Sequence, residues 1–179
     1  MAGTQDEGLA GIDGIPGAIS LAQRFAGSER FRELFADGMA LVEETADYLD
    51  GDGRASAKLL SETVGAFYST ESMRLTTRLM QLASWLLLQR AVAEGDMTPE
   101  QARDEKKNVR LDQPVPPRGA LWEDLPEPFV SLIERSVALQ RRLRLLDEEI
   151  YGEPGRAVRQ ESPVAHQHRL LETAFFGRG

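Results

Sequence analysis

The sequence contains no cysteine and only two histidines, His166 and His168, among its 179 residues. Disulfide bridges and thiolate metal sites are therefore excluded. The two histidines have no carboxylate pair near them in the sequence, so we interpret them as solvated side chains. No Glu-X-X-His pattern, P-loop, G-x-G-x-x-G, G-x-S-x-G or His-Glu-X-X-His motif is present. The sequence thus predicts a protein without a metal, a cofactor or an enzymatic activity.

Long apolar runs are also absent. The most apolar run extends from Leu82 to Leu88 and is bounded by Arg78 and Arg90, whereas a bilayer span needs roughly 18 to 20 apolar residues. The first residues lack the positive region and the apolar segment of a signal peptide. We therefore expect a cytoplasmic protein with no membrane insertion.

Basic residues are fewer than acidic ones, with 21 Lys and Arg against 29 Asp and Glu and a net charge of -8. An acidic chain lacks the field that attracts phosphate backbones, so we expect no nucleic-acid partner. Residues 1–53 contain 11 acids and 3 bases, which equals the whole net charge. Their spacing fits a solvated helix face, and an acidic docking face for a basic partner is the alternative.

Apolar residues recur at helical spacing in three long segments, which predicts helices and no strands. Ser28 is a candidate N-cap, and Thr98-Pro99-Glu100-Gln101 is a candidate capping box. The predicted helices cover about residues 29–50, 56–94, 99–108 and 128–151. The predicted fold is all-α, a three-helix bundle with long antiparallel helices that dimerises through its helical faces.

The predicted bundle domain covers residues 20–151 and leaves a segment at each end. Residues 1–19 contain five Gly and one Pro, a composition that predicts a flexible N-terminal arm. Residues 152–179 predict a flexible C-terminal tail that is mostly polar until a short apolar group. Such groups are typical of recognition peptides, so we expect this one to bind a partner. Its members are Leu170, Leu171, Phe175 and Phe176.

The second long helix is apolar on two opposite faces. One face is predicted to lie in the core and consists of Val64, Tyr68, Leu75, Leu79, Leu82 and Leu86. A helix with two apolar faces has to be covered on both sides, and a second copy of the protein is the economical cover. The predicted dimer interface consists of Met73, Thr77, Met80, Ser84 and Leu87.

A polar stripe lies between these two faces. Its members are Glu71, Arg74, Arg78, Gln81 and Trp85. Glu71 precedes Arg74 by three residues and can pair with it. In one interpretation the stripe clasps a neighbouring helix, for instance through Glu44 or Glu134. In the other, Arg and Trp form a binding surface for a partner, since both residue types are enriched at interface hot spots.

The same stretch carries a resemblance. Residues 71–87 read ESMRLTTRLMQLASWLL, and RAV at 90–92 and GDMTPEQAR at 95–103 follow. Residues 39–51 read MALVEETADYLDG. These segments resemble the alphaproteobacterial family of the regulator of CtrA degradation, which was first catalogued as a domain of unknown function. The resemblance covers roughly residues 20–151.

The resemblance implies a homodimeric three-helix bundle that is an adaptor and not an enzyme. It implies help for the ClpXP protease in recognising cell-cycle regulators such as CtrA. The implied partners are the ClpX unfoldase with a receiver-domain priming factor, substrate proteins and a cyclic-di-GMP-binding adaptor, with transient recruitment to a cell pole. The alternative is a structural helical homodimer or scaffold without a role in proteolysis.

Overall fold

The structure, a computed structural model, describes residues 23–115 and 117–152, and no strand occurs in these ranges. The residues outside them include 1–19, most of 152–179, both histidines and the apolar group at residues 170–176. The long helices are α1 (Glu29–Asp50), α3 (Glu62–Glu94) and α5 (Glu127–Tyr151). The short ones are α2 (Asp52–Ala57), α4 (Pro99–Glu105) and the 3₁₀ turns Lys106–Asn108 and Ala120–Trp122.

Local hydrogen bonds set the helix ends. The Ser28 hydroxyl accepts from the amide of Phe31 at 3.2 Å, so Ser28 is the N-cap of α1. In the capping box of α4, Thr98 Oγ1 accepts from the Gln101 amide at 3.2 Å. Gln101 Oε1 accepts from the Thr98 amide at 2.9 Å. At the end of α3, Gly95 has a φ of 80°, a left-handed conformation that favours glycine.

The second long helix begins later than the sequence predicted. It was expected from about residue 56, whereas α3 begins at Glu62 and residues 52–57 form the separate helix α2. The break occurs because Ser61 has an extended backbone and caps α3, with its hydroxyl accepting from the Val64 amide at 3.4 Å. A cap residue lies outside the helix it starts, so the chain changes direction there.

The long helices are not all antiparallel, which corrects one part of the predicted bundle. Contacts between α3 and α5 advance together along both helices, from Tyr68 against Phe129 to Gln89 against Tyr151. These two helices are therefore parallel, because the connector at residues 95–126 carries the chain back along the bundle before α5 begins. Helix α1 is antiparallel to α5, as Glu44 pairs with Arg135 and Tyr48 stacks near Phe129.

The core lies where the three long helices meet, and the predicted core face of α3 is confirmed. The six residues of that face are between 0 and 7% exposed. The connector also contributes, because Leu111 and Leu125 are buried in the same cluster. Gln140 Nε2 fixes the connector by donating to the carbonyls of Leu111 at 2.9 Å and Gln113 at 2.8 Å. In the described ranges, no helix has the length and apolar composition required to cross a bilayer.

Candidate interaction site

Three members of the predicted polar stripe point into the bundle. Glu71 is 2% exposed, Arg78 is 3% exposed and Trp85 is fully buried. Arg78 Nη1 donates to Ser136 Oγ on α5 at 2.9 Å, and Trp85 Nε1 donates to Asp147 Oδ1 at 2.8 Å. Both contacts join α3 to α5, so these side chains fix the register of the two parallel helices.

The other two stripe residues lie at the edge of the bundle. Arg74 Nη1 lies 2.6 Å from Glu71 Oε1, and its side chain is 49% exposed. Gln81 is half-buried, and its Oε1 accepts from the Arg110 amide of the connector at 2.7 Å. Within the protomer, the stripe therefore joins α3 to α5 and to the connector, and Arg74 and Gln81 are its solvent-accessible members.

The polar stripe does not bind Glu44 or Glu134, the two acids suggested by the sequence. Glu44 pairs with Arg135 at 2.6 Å, and Glu134 forms an ion pair with Arg118. The stripe instead binds Ser136 and Asp147, which project from the side of α5 that faces α3. Because Ser136 is a neutral residue, a search for charge complementarity does not identify it.

Arg78 is a buried cation, and this burial lowers the pKa of its guanidinium, while the nearby Glu71 carboxylate opposes the shift. Among the described residues, its Nε has no hydrogen-bond partner. Taking a charge out of water is costly unless it is paired and hydrogen-bonded. The attraction of the nearby Glu71 carboxylate and the hydrogen bond to Ser136 supply part of that compensation.

Asp147 connects the bundle to the segment after α4. Its second oxygen, Oδ2, lies 2.7 Å from Lys106 Nζ, and Lys106 also lies over the Tyr151 ring at 4.9 Å. The Tyr151 hydroxyl in turn accepts from Nε2 and donates to Oε1 of the Gln89 side chain on α3. Burial raises the pKa of the Tyr151 phenol, and the Gln89 bond partly offsets that shift. This polar network holds the end of α5 against α3 and the 3₁₀ turn.

The opposite face of α3 is exposed, and we name it the α3 strip. Met73, Met80 and Leu87 are 67%, 60% and 50% exposed. The hydroxyls of Thr77 and Ser84 donate to the Met73 and Met80 carbonyls at 2.8 and 2.9 Å. Because these hydroxyls are satisfied within the helix, the strip presents an apolar surface. The strip consists of Met73, Thr77, Met80, Ser84 and Leu87, the residues predicted to form a dimer interface.

A groove of about 430 Å³ borders the strip, and we name it the α3–α4 groove. Sequence reasoning missed it, because its two walls come from segments separated along the chain. Met97 and Val109 flank the helix predicted over residues 99–108, and both line the groove beside α3. The groove is lined by Ser84, Leu87, Leu88 and Ala91 of α3, by Met97 and Val109, and by Gln81, Glu105 and Asn108 at its polar positions.

The described residues contain no cluster of metal-ligating side chains. Within residues 23–115 and 117–152, no group of three or more His, Asp or Glu side chains could hold a metal ion. The acids of α1 are exposed, as both interpretations of the acidic segment require. The α3 strip and the adjacent groove are the apolar features of α3 that the bundle leaves open to solvent.

Comparison with known proteins places these features in a family. The profile described as "Protein of unknown function (DUF1465)" matches residues 22–175. No curated protein matches the sequence. Among solved structures, the crystal structure of RcdA from Caulobacter crescentus CB15 is similar, with 50% sequence identity and a TM-score of 0.60. The similarity covers 73% of this chain and 98% of the RcdA chain.

Proposed function

This chain belongs to the DUF1465 family, and from that premise we propose that it is a non-enzymatic adaptor of regulated proteolysis. It helps ClpXP recognise and degrade cell-cycle regulators such as CtrA. The observation that carries the proposal is the 50% identity to RcdA over 98% of the RcdA chain. The adaptor acts in the cytoplasm, with transient recruitment to a cell pole.

The mechanism is tethering. An adaptor raises the local concentration of its cargo at the unfoldase by joining two weak contacts, which strengthens binding by ~10²- to 10⁴-fold when the geometry allows both. The bundle suits this role, because the Arg78 and Trp85 contacts make it rigid while the α3 strip stays exposed. Rigidity keeps the binding surfaces at a fixed separation.

The protein has three binding surfaces. A second copy covers the α3 strip, since three large apolar side chains lie there at or above half exposure. Arg74 and Gln81 lie beside it and contact cargo or a cyclic-di-GMP-binding adaptor. The apolar group at residues 170–176 contacts the ClpX unfoldase or its receiver-domain priming factor.

A reconstituted degradation assay tests the proposal. Purified ClpXP, the receiver-domain factor, the cyclic-di-GMP-binding adaptor and labelled CtrA are mixed at limiting cargo, with and without this protein. We expect the initial degradation rate to rise at least about tenfold when the protein is present, because tethering is worth ~10²-fold or more. Substitution of Leu170, Leu171, Phe175 and Phe176 with Ala lowers that rate and leaves the circular dichroism spectrum unchanged.

The control is a substrate that ClpXP recognises directly through its own degradation tag, whose turnover this protein does not change. Equal CtrA turnover with and without the protein would contradict the adaptor role. If the protein still dimerises under those conditions, the structural scaffold becomes the better explanation.

A further inference from the structure

We propose that residues 170–176 of this chain dock in the α3–α4 groove of the same protomer. The inference goes beyond the adaptor role: residues 170–176 lie in the groove when no partner is bound and leave it to contact the unfoldase or its priming factor. It assigns an occupant to a groove that the predicted dimer surface only borders. Four observations carry it: where α5 ends, how far residue 170 is along the chain, the apolar pattern of the segment and the charge at the groove.

The end of α5 lies at the edge of the groove. Tyr151, its last residue, bonds to Gln89, which follows the groove residue Leu88 on α3. The Tyr151 ring also lies beneath Lys106, which is between the groove residues Glu105 and Asn108. The last described residues of α5 therefore lie near the surface that we propose residues 170–176 cover.

The connecting segment, residues 153–169, is long enough to reach the groove and short enough to keep the effective concentration of residues 170–176 high. A coil of that length has a root-mean-square span of ~20–25 Å, which exceeds the distance of about 10 Å that residues 84–91 cover along α3. A short linker of this kind gives an effective concentration in the millimolar range. Even a weak apolar contact is then made by the segment of the same protomer, ahead of the same segment from another copy present at micromolar concentration.

The apolar pattern of the segment fits a helix-in-groove contact. Leu170, Leu171, Ala174 and Phe175 have the spacing i, i+1, i+4 and i+5, which places them on one face of a helix. The groove has a matching apolar floor of Leu87, Leu88, Ala91, Met97 and Val109.

Charge favours the same pairing. Arg169 directly precedes the apolar group, and the acidic residue Glu105 lines the groove. Docking also covers Leu87, which belongs to the α3 strip as well. The docked segment and a second copy consequently compete, and removal of residues 153–179 tightens self-association.

Disulfide trapping tests the proposal on the full chain, and the absence of native cysteine leaves no background. Ser84→Cys is combined with Ala174→Cys, and the protein is oxidised at low micromolar concentration. We expect an intramolecular disulfide, detected as a monomer of altered mobility on a non-reducing gel. The matched control combines Ala93→Cys with Ala174→Cys, because Ala93 is exposed and lies about 180° around α3 from Ser84. The control pair should react at least about tenfold more slowly.

A second pair of variants tests the groove itself. Ala91→Glu places a charge in the groove and should slow trapping at least about tenfold, whereas Ala93→Glu should not change it. Asn108→Cys with Ala174→Cys approaches from the opposite wall, at an exposed position, and provides an independent trap if the Ser84 variant does not fold. Equal rates for the groove and control pairs overturn the proposal. Covalent dimers whose linked peptides, identified by mass spectrometry, join position 84 of one copy to position 174 of another overturn it too, because the segment then occupies the groove of another copy.

Discussion

Trp85 is the largest fully buried side chain, and its indole nitrogen bonds to Asp147 on α5. Trp85→Phe removes this donor and part of the ring, so we expect the free energy of unfolding to fall by about 1–3 kcal/mol. Urea denaturation followed by circular dichroism measures the change. Cargo delivery by the folded variant should stay intact, because Trp85 does not reach the surface.

Trp122→Phe is the control for this substitution. Trp122 is only partly buried, and its ring meets Phe67 edge-on at 6.1 Å. We expect Trp122→Phe to lower the unfolding free energy by less than about 1 kcal/mol. If Trp85→Phe instead preserved stability and abolished delivery, the partner-surface interpretation of the polar stripe would be restored.

The three tyrosines predict loss of stability at alkaline pH. Burial raises the pKa of Tyr48, Tyr68 and Tyr151 above that of a free phenol. The folded state therefore holds these protons more tightly than the unfolded chain. Their contribution is complete below the unfolded pKa of about 10 and is lost as the pH rises through the higher folded values. Denaturation midpoints on either side of about pH 10, together with phenolate absorbance, measure it.

Tyr68→Phe separates this effect from general alkaline damage. Among the described residues, the Tyr68 hydroxyl has no hydrogen-bond partner and is buried. Its removal should therefore leave stability at neutral pH unchanged or slightly higher. The alkaline loss should be smaller than in the unsubstituted protein. An identical loss in both proteins would mean that other groups are responsible.

At the scale of the helices, α1 approaches α3 closely at Gly38. A Cβ atom there would lie 2.5 Å from Leu86 Cδ1 and 3.6 Å from Leu139 Cδ2. Leu86 is 1% exposed and has little space to move. We expect Gly38→Ala to lower the unfolding free energy by about 1–3 kcal/mol, as overpacking of a core does. Thermal or urea denaturation measures the change.

Gly65→Ala is the matched substitution on α3. A Cβ atom at Gly65 meets nothing within 4 Å, so only the helix propensity changes. Alanine should raise the unfolding free energy there by about 0.5–1 kcal/mol. Changes of opposite sign in the unfolding free energy at the two glycines would confirm that α1 approaches α3 closely. A stabilising Gly38→Ala would show that the helices separate easily.

At the scale of the whole molecule, the α3 strip determines the predicted oligomeric state. Met80 lies at its centre and is 60% exposed. Met80→Glu places a charge in the proposed dimer interface, and we expect it to convert the dimer into a monomer without loss of helix content. Sedimentation velocity measures the mass, and circular dichroism measures the helix content.

Leu59→Glu is the control, because Leu59 is 87% exposed and lies in the turn before α3, outside the strip. The same substitution there should leave the dimer intact. A Met80→Glu protein that still sediments as a dimer would show that the copies associate through a different face.

The sequence by itself determined the features that depend on neighbours along the chain. Ser28, Gly95 and the Thr98–Gln101 capping box set helix ends through hydrogen bonds that span a few residues. Helical spacing likewise separated the buried leucines of α3 from its exposed methionines. The sequence also carried the family resemblance, because the segments that resemble the family are continuous stretches of the chain.

Only the tertiary structure decided how those elements meet. Periodicity shows which residues share a face but not which neighbour covers it, so the partners of Arg78 and Trp85 on α5 could not be chosen beforehand. The parallel orientation of α3 and α5 depends on the path of the connector. The groove depends on the same path, because it forms only where the connector brings Met97 and Val109 back against α3. These features arise from contacts between residues far apart in the chain, and a pattern read along the sequence does not record such contacts.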